Sequence, residues 1–248
     1  MATRRRCILS VLLLLLFAGC SSPAIRRQQV LVAPILGGAA QKHYVLYLPP
    51  GYDAPENAHR RWPVLVYLRG MPLVGTSLRD MTQSGPPQFI EEGMDIPFVV
   101  ISPHASRRRE LWREQEVHDV LDYALPQLRV DLDRVCLTGI SVGAEGVWRV
   151  AAARPDRFAA IAPICGWGHP DDARAIPHIP VWSFHGALDF VCLPHYDCEA
   201  VRAHRQAGGD CRYTIYPFRT HFIWDMVYAR RDFYQWLLCQ RRPVPNAR

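Results

Sequence analysis

Several signatures that would fix a function class are missing from this chain of 248 residues. No segment repeats at a fixed period and none is of low complexity, so solenoids and arrays are excluded and an ordinary globular domain remains. Apart from one serine-centred turn considered below, no glycine-rich loop leads into a helix, so nothing points to a bound nucleotide. The ligand types in His195-Tyr196-Asp197-Cys198 have no second cluster at zinc spacing, and no metal or other cofactor is expected. No sequence feature suggests a propeller or a long lid. Arginines recur together at residues 107–109, 230–231 and 241–242 without interleaved aromatics, which reads as solvated helix ends and loops rather than a nucleic-acid surface.

What is present begins with Arg4, Arg5 and Arg6 ahead of an apolar run over residues 8–17, too short for a permanent membrane span and typical of an export signal. The run closes on Ala18-Gly19-Cys20-Ser21, which resembles a bacterial lipobox, with Phe17 where Leu or Val is usual. The expectation is a signal peptide over residues 1–19, lipidation of Cys20, a short tether to residue 27 and one domain over residues 28–248. Ordinary secretion is the alternative. Ser21, by resemblance to lipoprotein sorting, points to the outer membrane if the host has one. The formal net charge of +6 loses three arginines and no acids with the signal, leaving +3, which needs no polyanionic partner. The oligomeric state is left open.

Six of the eight cysteines remain once Cys7 leaves and Cys20 is lipidated, in a compartment that permits disulfides. Cys136 and Cys165 sit in or beside buried strand patterns and read as buried thiols. Cys211 opens the last strand and Cys239 closes the last helix, and Cys192 and Cys198 flank one loop, so the expected pairs are Cys211 with Cys239 and Cys192 with Cys198.

Short apolar runs over residues 64–68, 98–102, 135–138, 159–164, 181–184 and 213–216 suit strands covered on both faces. Strand candidates over 29–35 and 43–48 precede them, the second ended by Pro49-Pro50-Gly51-Tyr52. Helical patterns lie between, over 115–128, 143–153, 198–206 and 233–239. Strands alternating with helices predict an α/β fold, a mostly parallel sheet of about eight strands with helices on both faces. Functional groups in such sheets gather at the carboxyl ends of the strands.

At one such end stands Gly139-Ile140-Ser141-Val142-Gly143, between a strand and a helix. Glycines on both sides allow a tight turn that projects the serine hydroxyl, and the helix aims free N–H groups at the same point. Ser141 is therefore the candidate nucleophile, and the Val142 amide one donor to an oxyanion. A structural Gly-Ser turn is the plain alternative. Around such a turn the partners follow in the order serine, acid, histidine. Asp189 lies just beyond the strand over 181–184, whereas Asp197 and Glu199 fall in or beside the next helix, where a surface carboxylate is the ordinary reading. His221 follows the last strand by a short loop. His195 and His204 lie in or beside a helix among charged neighbours, and His185 reads as a packing residue. The second oxyanion amide is expected from Arg69-Gly70-Met71-Pro72, with Met71 the candidate because proline has no N–H. Trp112, Trp167 and Trp224 could line a pocket or be core.

With these residues in place the chain resembles the α/β-hydrolase superfamily, in particular small secreted bacterial carboxylesterases of feruloyl and acetylxylan esterase-like, polyhydroxyalkanoate depolymerase-like and phospholipase/carboxylesterase-like types. The resemblance runs over about residues 40 to 240. It rests on Tyr44-Val45-Leu46-Tyr47-Leu48-Pro49 with Gly51-Tyr52, Gly85-Pro86-Pro87, Leu137-Thr138-Gly139-Ile140-Ser141, the stretch from Arg157 to Gly166, Phe184-His185-Gly186-Ala187 with Asp189, and His221 with Trp224. It implies a Ser141, Asp189, His221 triad acting on a carboxylic ester, small or attached to polysaccharide. Two departures stand out: Arg69-Gly70 where the family usually has His-Gly, and Thr220-His221 where it often has Gly-His. A peptidase of the same fold and a non-catalytic binding lipoprotein are the competing functions.

Overall fold

A computed structural model describes residues 28–34, 41–71, 78–104 and 111–242. The signal segment, Cys20, the tether and Arg107 to Arg109 lie outside these residues. Among the described residues no helix is long and apolar enough to cross a membrane.

Eight strands form one sheet: β1 (Gln28–Pro34), β2 (Gln41–Tyr47), β3 (Trp62–Leu68), β4 (Val99–Pro103), β5 (Val130–Ile140), β6 (Ala160–Ile164), β7 (Val181–Gly186) and β8 (Cys211–Tyr216). Their spatial order is β1-β2-β4-β3-β5-β6-β7-β8. The first two pair antiparallel, and every pair from β4 to β8 is parallel. Among the described residues seven α-helices accompany them: α1 (Gly85–Glu91), α2 (Glu114–Ala124), α3 (Val142–Ala153), α4 (Pro170–Ala175), α5 (Pro194–Gln206), α6 (Trp224–Tyr228) and α7 (Arg231–Leu238).

The apolar runs form strands because both sheet faces are covered. Every residue of β3, β4, β6 and β7 is buried. Side chains alternate across the sheet. Val64, Val66 and Leu68 of β3 join a core with Val117 and Leu121 of α2 and Val147 and Trp148 of α3. Leu65 and Tyr67 face the opposite core, with Ile90 of α1, Tyr228 of α6 and Phe233 and Leu237 of α7. Removing water from both faces is what holds these layers together, at about 25 cal/mol per Å² of apolar surface.

Three features differ from the sequence expectation. β5 begins at Val130, earlier than its apolar part, because Asp131 and Asp133 in its polar half hold Arg241 at 2.6 Å and Arg242 at 2.7 Å. These arginines are ion-paired rather than merely solvated, and Arg230 likewise reaches Asp232 at 2.6 Å. Helix α5 starts at Pro194, four residues before its predicted start, since proline is suited to the first helical position. The short helices α4 and α6 have too few turns to show a period.

The expected disulfides are absent: Cys192, Cys198, Cys211 and Cys239 are free thiols, as are the buried Cys136 and Cys165. The end of α7 crosses beneath β5, where the carbonyl of Leu238 accepts from Arg134 at 2.6 Å and that of Leu237 from the Cys136 thiol at 3.7 Å. Cys211 opens β8, three strands away, or about 14 Å at normal strand spacing. A disulfide needs Cα atoms within about 7 Å. Cys198 follows on α5 from Asp197, which points inward, so it turns about 100° away. It borders an outer groove with Val201, Arg202 and Tyr213, while Cys192 is buried.

Candidate active site

Ser141 stands between β5 and α3 with φ 55° and ψ −121°, a backbone conformation that a residue with a Cβ adopts at a cost. The turn holds it there through close backbone approach. A Cβ at Gly143 would lie 2.1 Å from the Leu68 carbonyl oxygen, and one at Gly139 would lie 2.5 Å from that of Gly143. The Ser141 amide donates to the Ile164 carbonyl at 2.9 Å, and the Ser141 carbonyl accepts from Ala144 at 2.8 Å. Val142 is the first residue of α3, so its N–H has no acceptor within the helix.

Asp189 and His221 come to Ser141 from the loops after β7 and β8. Backbone bonds join those loops: Ala187 donates to the Tyr216 carbonyl and Leu188 to the Arg219 carbonyl, each at 2.9 Å. His221 Nδ1 donates to Asp189 Oδ2 at 2.7 Å, and its Nε2 lies 3.0 Å from Ser141 Oγ, placed to accept the hydroxyl proton. Asp189 and His221 are both buried. The ring of His221 is braced edge-on by Phe222 and Trp224 at 5.7 and 5.6 Å.

Asp189 has more holders than the sequence suggested. Its Oδ1 accepts the amides of Val191 and Cys192, both at 2.9 Å, and its Oδ2 lies 3.2 Å from His185 Nε2. His185 also reaches the Cys192 carbonyl at 2.8 Å through Nε2 and Asp197 Oδ2 at 3.1 Å through Nδ1. Ser183 donates to that same Asp197 oxygen at 2.7 Å. Burial opposes charge on His185, but the hydrogen bond and field of Asp197, the Cys192 carbonyl and the Asp189 carboxylate outweigh it and raise its pKa. His185 is thus a hydrogen-bonded link behind the triad rather than a packing residue. Asp197 is fully buried rather than a surface carboxylate. The signal that could have found it was Pro194, which starts α5 early enough to turn Asp197 under the sheet. His195 and His204 stay outside this network, His204 being buried against the carbonyls of Ile176 and Ile179 at 3.1 Å each.

Two cysteines border the triad. Burial pushes the Cys192 thiol up to about 11, against a hydrogen bond with the Ser141 hydroxyl. Cys165, at a positive φ of 52° after β6, is raised well above the ordinary thiol range by burial. Its sulfur and the ligand atoms of Asp189 and His221 lie within 4.8 Å of one another, a spacing that could hold a metal ion. Asp189 and His221 are already bonded to each other at 2.7 Å.

The other flank of Ser141 is the end of β3. A Cβ at Gly70 would lie 3.1 Å from the Ser141 Cβ, so the Gly70-Met71 segment passes directly over the serine. Met71 is exposed, and Pro72 lies outside the described residues. Trp112 is core: its ring packs on Gly146, and its Nε1 donates to the Arg69 carbonyl at 3.0 Å, pinning this strand end. Trp167 packs at the edge of the α2 and α3 core, and Trp224 alone of the three touches the triad.

This sheet order, with a serine elbow after β5 and an acid and a histidine after β7 and β8, has close structural parallels. A thermostable esterase superposes with a TM-score of 0.74 at 23% identity, covering 89% of this chain and 64% of that one. The chain has the α/β-hydrolase fold. Other proteins of this fold resemble it at lower identity. The acylaminoacyl peptidase of Pyrococcus horikoshii gives a TM-score of 0.66 at 12% identity over 89% of this chain, and a ferulic acid esterase gives 0.57 at 18% over 85%. This chain spans 64% and 43% of the lengths of the thermostable esterase and the peptidase, but 97% of that of the ferulic acid esterase. No protein-family model matches the chain, and no curated protein matches it in sequence.

Proposed function

We propose that this protein is a serine hydrolase that cleaves carboxylic esters through an acyl-enzyme. The observation that carries the reading is the continuous line from Asp189 Oδ2 through His221 to Ser141 Oγ, with contacts of 2.7 and 3.0 Å, on a serine held at positive φ. His221 Nε2 takes the hydroxyl proton as Ser141 Oγ attacks the ester carbonyl, and Asp189 holds the imidazole in the required tautomer. The Val142 amide and the Met71 amide receive the oxyanion, each such donor contributing about 3 to 4 kcal/mol to lowering the barrier. His221 then protonates the departing alcohol, and water enters by the reverse route to release the acid.

The loops that carry Asp189 and His221 expose Leu188, Phe190, Val191, Phe218 and Phe222 beside the triad. Such an apolar rim suits the hydrocarbon part of an ester. The resemblance to both an esterase and a peptidase fits the common acyl-enzyme chemistry, and the ester reading is favoured by the ferulic acid esterase, which matches this chain over nearly its whole length. The test is turnover of short and medium chromogenic acyl esters beside a peptide amide. Ester cleavage that disappears in Ser141→Ala supports the proposal; cleavage of the amide alone makes the protein a peptidase, and no turnover of either makes it a binder.

The sequence further supports export and lipid attachment at Cys20, with the protein held at the bacterial cell envelope, in the outer membrane where the host has one. Incorporation of an alkynyl fatty acid that is lost in Cys20→Ala supports this; equal labelling of both chains contradicts it.

A further inference from the structure

The residue that follows β3 is Arg69, and its side chain is enclosed, at 2% exposure. Among the described residues none of its three guanidinium nitrogens has a hydrogen-bond partner. Other partly buried arginines are paired: Arg157 with Asp122, Arg242 with Asp133 and Arg129 with Asp53. Leu68 belongs to the α2 and α3 face, so strand alternation sends Arg69 to the face of Tyr67. Burial depresses its pKa against the fields of Tyr67 and Asp80, yet an arginine keeps its charge in a protein. A buried cation without a hydrogen-bonding anion is costly, and it persists where a ligand completes it.

Its position gives that ligand a role. The carbonyl of Arg69 is fixed by Trp112, and the next residue, Gly70, contacts Ser141. Arg69 is therefore one residue from the segment that touches the nucleophile, with its side chain on the Tyr67 side of the strand end. Five N–H donors in a planar fork match a carboxylate in two parallel hydrogen bonds.

We propose that Arg69 anchors a carboxylate of the substrate, so that the substrate class is an ester carrying a free carboxylate near the scissile bond, as in a half-ester of a short dicarboxylic acid. The proposal rests on Ser141 being the nucleophile. It assigns the departure from the histidine usual before this glycine to specificity.

The test compares the full-length protein with R69M and R69K on the monomethyl and dimethyl esters of glutarate and succinate. The native enzyme is expected to prefer the half-esters in kcat/KM by at least about tenfold. R69M should abolish that preference, bringing the ratio to about one or below through loss of a charge-assisted hydrogen-bonded contact, and R69K should restore part of it. Equal loss on both ester types in R69M would make Arg69 a support for the strand end and overturn the proposal, as would a native preference for the diesters. A second arm is independent of turnover: calorimetric binding of glutarate to the native protein, lost in an R69M that melts cooperatively. If no ester is cleaved yet glutarate binds through Arg69, the anion site stands and the hydrolase reading fails. If esters are cleaved and glutarate does not bind, the hydrolase reading stands and the anion site fails.

Discussion

The two flanks of Ser141 are built on different principles. On the β7 and β8 side, acid and histidine side chains alternate in a line, from Asp197 through His185 and Asp189 to His221, each joined to the next at 2.7 to 3.2 Å. On the β3 side the serine meets backbone at Gly70, next to Arg69, whose guanidinium has no hydrogen-bond partner among the described residues. The first flank is complete without ligand and needs only to hold geometry. The second is incomplete, and on the proposed reading its amides and cation meet an oxyanion and a substrate. Rigid proton handling on one side and ligand recognition on the other follow from that difference.

Breaking the first flank at its centre has the largest expected effect. Asp189→Asn should lower kcat by about 10⁴-fold with little change in KM, because an amide in that position selects the wrong imidazole tautomer. A loss under tenfold would show that Asp197 can serve as the orienting acid through His185.

His185→Gln tests whether the line extends behind the triad. The expected loss in kcat is about 10- to 100-fold, as for partners that orient a functional group. Stability adds a pH signature. The folded-state pKa of His185 is raised, so the stability it contributes is fully present below its unfolded value of about 6.5 and declines as pH rises through the folded value. Denaturant titrations should therefore show the largest cost of His185→Gln in mild acid and a smaller one in alkali. A cost that grows with pH would mean that the ring is neutral.

The smallest effect sharpens the second flank. Trp112→Phe keeps the ring on Gly146 but removes the donor to the Arg69 carbonyl, at a cost of about 1 kcal/mol in stability. Because that carbonyl fixes the strand end over Ser141, kcat should fall about threefold to tenfold, with KM for neutral esters nearly unchanged. Unaltered kcat would free the oxyanion segment from this support.

The same contrast explains what was legible in the sequence. The buried parallel strands read directly as apolar runs, and the order of Ser141, Asp189 and His221 could be read because each follows a strand end. β5 was read short because Asp131 and Asp133 break its apolar pattern while pairing with arginines more than a hundred positions away. His185 and Asp197 were misplaced because residue type alone does not separate a buried hydrogen-bonded link from packing or surface. The expected Cys211–Cys239 pair failed on a distance across the sheet, which depends on where α7 crosses β5, and the Cys192–Cys198 pair failed on the outward face that Cys198 takes on α5. Arg69 was visible as a departure from a pattern, but its lack of a partner is a property of packing and belongs to the structure alone.

The central claim is that Ser141 is a nucleophile activated by His221. The most direct measurement is intact-protein and peptide mass spectrometry after exposure to an alkyl fluorophosphonate, on the native chain, Ser141→Ala and His221→Ala. The account predicts one adduct on the native chain, located on Ser141, none on Ser141→Ala, and labelling at least about 100-fold slower on His221→Ala. An unlabelled native chain, or an adduct that persists in Ser141→Ala, would contradict it.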